Sequence, residues 1–149
     1  MKTFFLTAIL LLIITPINEA QVLHENWVPV KYDTNSIIYL NTVELSNFRG
    51  NDIYVWILEH NDPPIEIEMI DKKIFKTQSY ILINKKLYRY SILQMIFFDK
   101  DDDVIKSYNY ERNTDIDELK YNSPILENST IEVILKKCIE LIDESKSED

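Results

Sequence analysis

The stretch Ser129-Thr130-Ile131-Glu132-Val133-Ile134-Leu135-Lys136-Lys137-Cys138-Ile139-Glu140-Leu141-Ile142 decides the fold. Ile131, Ile134, Leu135, Cys138, Ile139 and Ile142 recur at i, i+3, i+4, i+7, i+8 and i+11, which draws one apolar stripe along an α-helix and turns Glu132, Lys136, Lys137 and Glu140 outward. Ser129-Thr130-Ile131-Glu132 is a capping box: the Ser129 hydroxyl accepts from the Glu132 amide, and the Glu132 carboxylate reaches back. The spacing predicts a helix of about 12 to 14 residues, roughly 20 Å long. Such a stripe has to be buried against another layer.

That layer is written upstream with a different period. Short runs rich in Val, Ile, Tyr, Phe and Trp are separated by Asn, Asp and Pro, which predicts strands over 27–31, 37–41, 53–60, 66–70, 74–83, 87–98 and 104–110. Asn84-Lys85-Lys86 and Asp99-Lys100-Asp101-Asp102-Asp103 supply turns, and Pro29 assigns the first strand to a sheet edge because proline cannot donate to a ladder. The expected fold class is α+β: an antiparallel, strongly twisted sheet of about six strands with the C-terminal helix packed on one face. Ile53, Val55 and Ile57 alternate with Tyr54, Trp56 and Leu58, so apolar side chains stand on both faces. One helix covers one face only. The second is expected to meet either the sheet curling on itself or another copy of the chain, as a homodimer.

The first twenty residues read as an export signal: Lys2, an apolar run from Phe4 to Ile14, then Pro16, Glu19 and Ala20 before Gln21. That run is shorter than the roughly 20 residues a spanning helix needs. The alternative is an N-terminal anchor. Cleavage at Ala20 leaves a domain over 21–143 and an acidic, disordered tail over 144–149, with no membrane span in the mature chain. Export implies the periplasm, the cell surface or the medium. Net charge −9 argues against nucleic-acid binding. Cys138 is the one cysteine, so no internal disulfide is expected. The chain holds one glycine, which disfavours Gly-rich phosphate loops.

Over 27–141 the order of features resembles the bacterial surface-adhesin protein E-like family: Trp27 in the first strand, Tyr39-Leu40-Asn41 in the second, then Val55-Trp56, long hairpin strands, Ser123-Pro124, and a capped helix bearing Cys138. The resemblance implies export to the envelope and, in adhesin members, binding of host extracellular-matrix or plasma proteins. It also implies a cysteine pair between a mid-chain strand and the helix. Here Asn84 stands where the partner aligns, so Cys138 is expected unpaired.

Lys72, Lys73, Lys76, Lys85, Lys86 and Arg89 fall in a segment, 72–98, that contains no acid. With Tyr80, Tyr88 and Tyr90 between them they form a candidate basic recognition hairpin for an acidic partner: a polyanionic glycan, a host protein loop or a second subunit. The competing reading is lysine protection of a strand edge and a solvated turn. Asp99, Asp101 and Asp103 have the spacing of the first calcium-loop ligands, but Val104 and Tyr110 stand where Gly and Glu belong, so a solvated turn is expected. Cys138 with His24 or His60 suggests a nucleophile and base only formally, because the thiol lies on the apolar stripe. The sequon Asn128-Ser129-Thr130 coincides with the helix cap. No catalytic residues, metal or cofactor are expected. The functional expectation is a non-enzymatic envelope or surface protein that binds a macromolecule, the alternative being a periplasmic accessory protein that only self-associates.

Overall fold

A computed structural model describes residues 26–31, 37–43, 45, 50–110 and 120–147; the expected signal segment and His24 lie outside the described residues. Among these residues seven strands are formed: β1 (Trp27–Lys31), β2 (Ile37–Asn41), β3 (Asp52–Ile67), β4 (Ile70–Asn84), β5 (Arg89–Phe98), β6 (Val104–Asn109) and the two-residue β7 (Ser123–Pro124), followed by α1 (Thr130–Ser147). The sheet is an antiparallel meander in the order β1-β2-β3-β4-β5-β6, with β7 pairing β5 beside β6. Six strands in sequence and one C-terminal helix make the α+β architecture that the two hydrophobic periods predict. Pro29 lies on edge strand β1, where its missing N–H breaks no ladder.

Three boundaries differ from the sequence reading. The expected strands at 53–60 and 66–70 are one strand, β3, whose partner β4 begins at Ile70 after a turn at Glu68 and Met69. Pro63 and Pro64 have the character of strand punctuation. The ladder instead absorbs them in register shifts after His60, where paired residues jump from His60↔Lys76 to Ile65↔Ile74. The strand expected from Leu87 starts at Arg89: Asn84 Oδ1 accepts from the amides of Lys86 (3.0 Å) and Leu87 (2.7 Å), and Tyr88 takes a left-handed φ of 56°, so residues 85–88 form the turn. The helix runs to Ser147, four residues into the acidic stretch read as a disordered tail.

The apolar stripe is buried at Ile134, Leu135, Cys138 and Ile142 and partly buried at Ile131 and Ile139, whereas Glu132, expected to turn outward, is buried as well. Ile134, Leu135, Cys138 and Ile142 join Val30, Ile38, Leu40, Ile53, Val55, Ile81 and Ile83 in one core cluster. Those sheet residues alternate along their strands, so they share one face and α1 covers it. Full burial of an aliphatic side chain contributes about 1.5–3 kcal/mol relative to leaving it exposed.

The helix start is set by side chains. The Glu132 amide donates to Ser129 Oγ (3.3 Å), as the capping box requires, but the Glu132 carboxylate reaches one residue beyond the expected amide and accepts from Asn128 N (2.7 Å). Asn128 is left-handed, with φ 59°, which brings its N–H round toward the helix. The sequon residues therefore build the cap.

Candidate functional site

The six basic residues do not form one patch. Lys72, Lys73 and Lys76 stand near the start of β4, whereas Lys85 and Lys86 lie in the turn beyond its end and Arg89 opens β5. At about 3.3 Å per residue, Lys72 and Lys85 are about 40 Å apart. The first group is neutralised locally. Lys72 Nζ pairs with Asp99 (3.0 Å), Lys73 with Glu66 (3.1 Å) and Lys76 with Asp102. At the other end Arg89 donates to the Tyr121 carbonyl (3.0 Å).

The interleaved tyrosines part company too. Tyr90 packs against the core, Tyr88 bonds Glu132, and Tyr80 stands on the opposite face from the helix. A lysine-bounded edge and turn is the reading this placement favours.

The acidic turn is likewise self-satisfied. Asp99 Oδ1 accepts from the amides of Asp101 and Asp103 (3.1 Å each), while its other oxygen takes Lys72. The Lys72 ammonium and these amides outweigh the effect of desolvation and hold the Asp99 carboxyl below its ordinary range. Among the described residues no group of three or more His, Cys, Asp or Glu is placed to hold a metal ion.

A second polar cluster closes the other end of the sheet. Lys120 Nζ lies 2.5 Å from Asp52 Oδ2, the Tyr121 hydroxyl donates to Asp52 Oδ1, and Asn84 Nδ2 lies 2.6 Å from Asp52 and 2.9 Å from the Tyr121 hydroxyl. Burial alone would raise the Asp52 carboxyl, but these three donors outweigh it and hold it low. Buried Ser91 donates to the Lys120 carbonyl (2.8 Å) and accepts from the Asn122 amide (2.9 Å). Every group here has a partner, so the cluster fastens the approach to β7 onto β5 and β3.

Between these two charged ends lies a band in which, among the described residues, no side chain carries a formal charge, on the sheet face opposite α1. Its rows follow from the register: Tyr54 opposite Leu82; Trp56 opposite Tyr80, then Gln94 and Asn109; Tyr39 opposite Leu58, then Gln78, Ile96 and Ser107. Trp56 and Tyr80 stack at 4.8 Å between ring centroids with an interplanar angle of 24°, and Tyr54 lies 6.1 Å from Tyr80. Tyr39 meets the His60 ring edge to face at 5.7 Å. Such pairs hold the rings in fixed orientations.

The band opens into a cleft at one margin. β2 stays with β1 to its end, where Trp27 pairs Asn41 and the Thr42 amide donates to the Asn26 carbonyl (2.8 Å), while its pairing with β3 stops at Leu40↔Ile57. The strands part there and leave a space of about 180 Å³ lined by Asn41, Val43, Tyr54, Val55 and Trp56. A larger hollow of about 370 Å³ beside the acidic turn is lined by His60, Asn61, Phe75, Lys76 and Asp99 among others, but its Lys76 and Asp99 are committed to ion pairs.

In the sequence Tyr54 and Trp56 mark a two-faced strand, and Trp56 also belongs to the Val55-Trp56 feature of the family resemblance, but neither stands out as a site residue. Their signal was the same alternation, read with the absence of charge on that side.

Comparison with family models, with curated proteins and with solved structures finds no match. Among the described residues no helix is long and apolar enough to cross a membrane.

Proposed function

We propose that this chain is an exported, non-enzymatic envelope or surface protein of the protein E-like adhesin kind, holding a macromolecular partner against the uncharged face of its sheet. The observation that carries this reading is the aromatic band of Tyr39, Tyr54, Trp56 and Tyr80, which among the described residues has polar amide and hydroxyl neighbours and no ion in its rows. Tyr and Trp offer large, stiff contact area at low entropic cost, and interface centres are enriched in both. The lysines of the hairpin act in this reading as edge protection and as clamps. The order of strand and helix features over 27–141 supports the family assignment, and the segment 1–20 supports export.

The test has two arms. Protease shaving of intact cells followed by immunoblotting reports surface exposure, and retention of the purified protein on immobilised extracellular-matrix and envelope preparations reports binding. Loss of the protein on shaving, and retention that falls at least tenfold in the Trp56→Ala variant with unchanged circular dichroism, are expected. A shaving-resistant protein whose retention ignores Trp56 overturns the reading. Self-association is the competing use of the face: a Trp56-dependent dimer at micromolar concentration, with no retention, would replace the adhesin role by the accessory one.

A further inference from the structure

The cleft beside the aromatic band says what kind of ligand suits it. It is lined by Asn41, Val43, Tyr54, Val55 and Trp56, two of them aromatic and one a carboxamide. The Asn41 Oδ1 accepts from the Val43 amide at 3.0 Å, which fixes the carboxamide and presents Nδ2 as a donor at the rim. None of the lining residues is charged. The neighbouring rows continue in the same chemistry, with Gln78, Gln94 and Ser107 beyond the rings.

We propose that this cleft and the aromatic band beside it bind a neutral carbohydrate chain. The proposal rests on the reading of that face as the binding surface and names the class of its ligand. A sugar ring has an apolar face of C–H groups and a rim of hydroxyls. The first packs on an aromatic ring, and the second needs short-range donors and acceptors, which carboxamides and phenols supply without the desolvation cost of an ion.

Charge sets the choice within carbohydrates. A chain of net charge −9 repels a sulfated or uronic-acid polymer, and the basic residues that would offset this are split between the two ends and largely paired. An uncharged glycan meets no such penalty.

Size and order agree. About 180 Å³ is below the range of pockets that enclose drug-sized ligands, and suits one ring with its neighbours lying out along the sheet. The stack of Trp56 on Tyr80 fixes the indole before any ligand arrives, so little ordering is left for binding. Tyr80 is then a positioning residue. Tyr54, exposed at the rim, and Trp56 touch the ligand.

A glycan array carrying neutral and acidic saccharides, probed with the purified protein, tests this, with fluorescence titration of a soluble hit giving the affinity. Trp27→Phe leaves Trp56 as the reporter. Binding to at least one neutral glycan is expected, with millimolar or tighter affinity. Trp56→Ala should weaken it tenfold or more; Tyr54→Ser, at an exposed position, should weaken it several-fold and guards against misfolding of the first variant. No binding to any neutral glycan, binding only to acidic ones, or binding indifferent to both substitutions overturns the proposal. Retention on enzymatically deglycosylated matrix protein that depends on Trp56 overturns the carbohydrate assignment and leaves the face as a binding surface. If no surface or glycan responds to either substitution, both readings fall.

Discussion

The Tyr88 hydroxyl donates a 2.7 Å hydrogen bond to Glu132, tying the turn between β4 and β5 to the first turn of α1. Tyr88 holds its left-handed conformation with φ 56°, uncommon for a bulky residue, at the point where its side chain must reach the helix. Glu132 spreads its two oxygens over three elements: Tyr88 on the turn, the Asn128 amide before the cap, and Lys136 one helical turn on at 3.0 Å. The carboxylate is therefore the joint between sheet and helix.

That joint gives stability an acid limb. The Tyr88 hydroxyl, then Lys136 and the Asn128 amide, lower the Glu132 carboxyl to about 2 from its ordinary 4.5. A carboxyl depressed on folding contributes stability that is fully present above its unfolded value and is lost as pH falls through the folded one. The window is therefore pH 4.5 down to about 2. Urea denaturation followed at pH 7, 5 and 3 should show a midpoint that falls across the last step. Glu132→Gln should start lower at pH 7 and flatten that step; an unchanged step would assign it to other carboxyls.

The Asp52 cluster makes a separate prediction. Tyr121→Phe removes a hydroxyl from a buried ring and leaves Asp52 and Asn84 each one partner short. A loss of about 1–3 kcal/mol is expected, the ordinary cost of an orphaned buried polar group. Asn84→Ala should cost at least as much, since Asn84 also closes the 85–88 turn through two amides. The pair should be non-additive because both lean on Asp52, and a double-mutant cycle from chemical denaturation reads the coupling. Additivity within a few tenths of a kcal/mol would show that the cluster is not one unit.

What the sequence made legible follows from periodicity. Ile131 to Ile142 spell a helix because 3.6-residue spacing has no other use, and the strands from Trp27 to Phe98 alternate strongly enough to order the meander. The failures are local competitions. Pro63 and Pro64 stop most strands, yet at the irregular part of a two-stranded arm the missing N–H groups disturb few ladder bonds. Leu87 and Tyr88 favour strands, but the Asn84 carboxamide captures the turn first. The basic segment is divided in space for a geometric reason. Closeness in sequence along a 15-residue strand is distance in space, and the acids that pair its lysines lie in Glu66 and the 99–103 turn. Tyr54 and Trp56 were visible as a second apolar face. That they border a cleft depends on where β2 leaves β3, which no local pattern encodes.

The hairpin of β3 and β4 should be unevenly stable along its length. Among the described residues, register with β2 covers Ile57, Leu58 and Glu59 of β3, and pairing with β5 begins at Lys76, so residues 61–75 have each other alone for strand partners. Two strands without a third are marginal in water. Lys72 and Lys76 fasten this arm to the 99–103 turn, and Ile74 between them is fully buried. Hydrogen exchange read by mass spectrometry should find amides of 61–72 exchanging faster than those of 53–58 and 79–83. Lys72→Ala should widen the difference, and 0.5 M salt should do the same to a smaller degree, as screening weakens an exposed pair. Equal protection along the whole hairpin would mean that the arm is held by more than its own ladder.

Docking of α1 can be followed through its thiol. Cys138 is fully buried among Ile134, Leu135, Ile142 and the sheet, and burial pushes its thiol up to about 12. The buried thiol is then held in its unreactive protonated form at pH 8, and the reagent cannot reach it without an opening of the helix. The native protein should therefore resist a disulfide reagent that labels one thiol per chain in denaturant. Ile134→Ala, which empties part of the same cluster, should cost about 2–5 kcal/mol. If labelling waits for global opening with fast reclosing, its rate should rise by about 30-fold to a few thousand-fold, because it tracks the open population. A rate that stays put while denaturation confirms the lost stability would mean that the thiol is reached through an opening that leaves Ile134 packed. Labelling of the wild type at the speed of a free thiol would mean that the helix does not rest on the sheet, and with it would go the two-layer fold that positions the aromatic face.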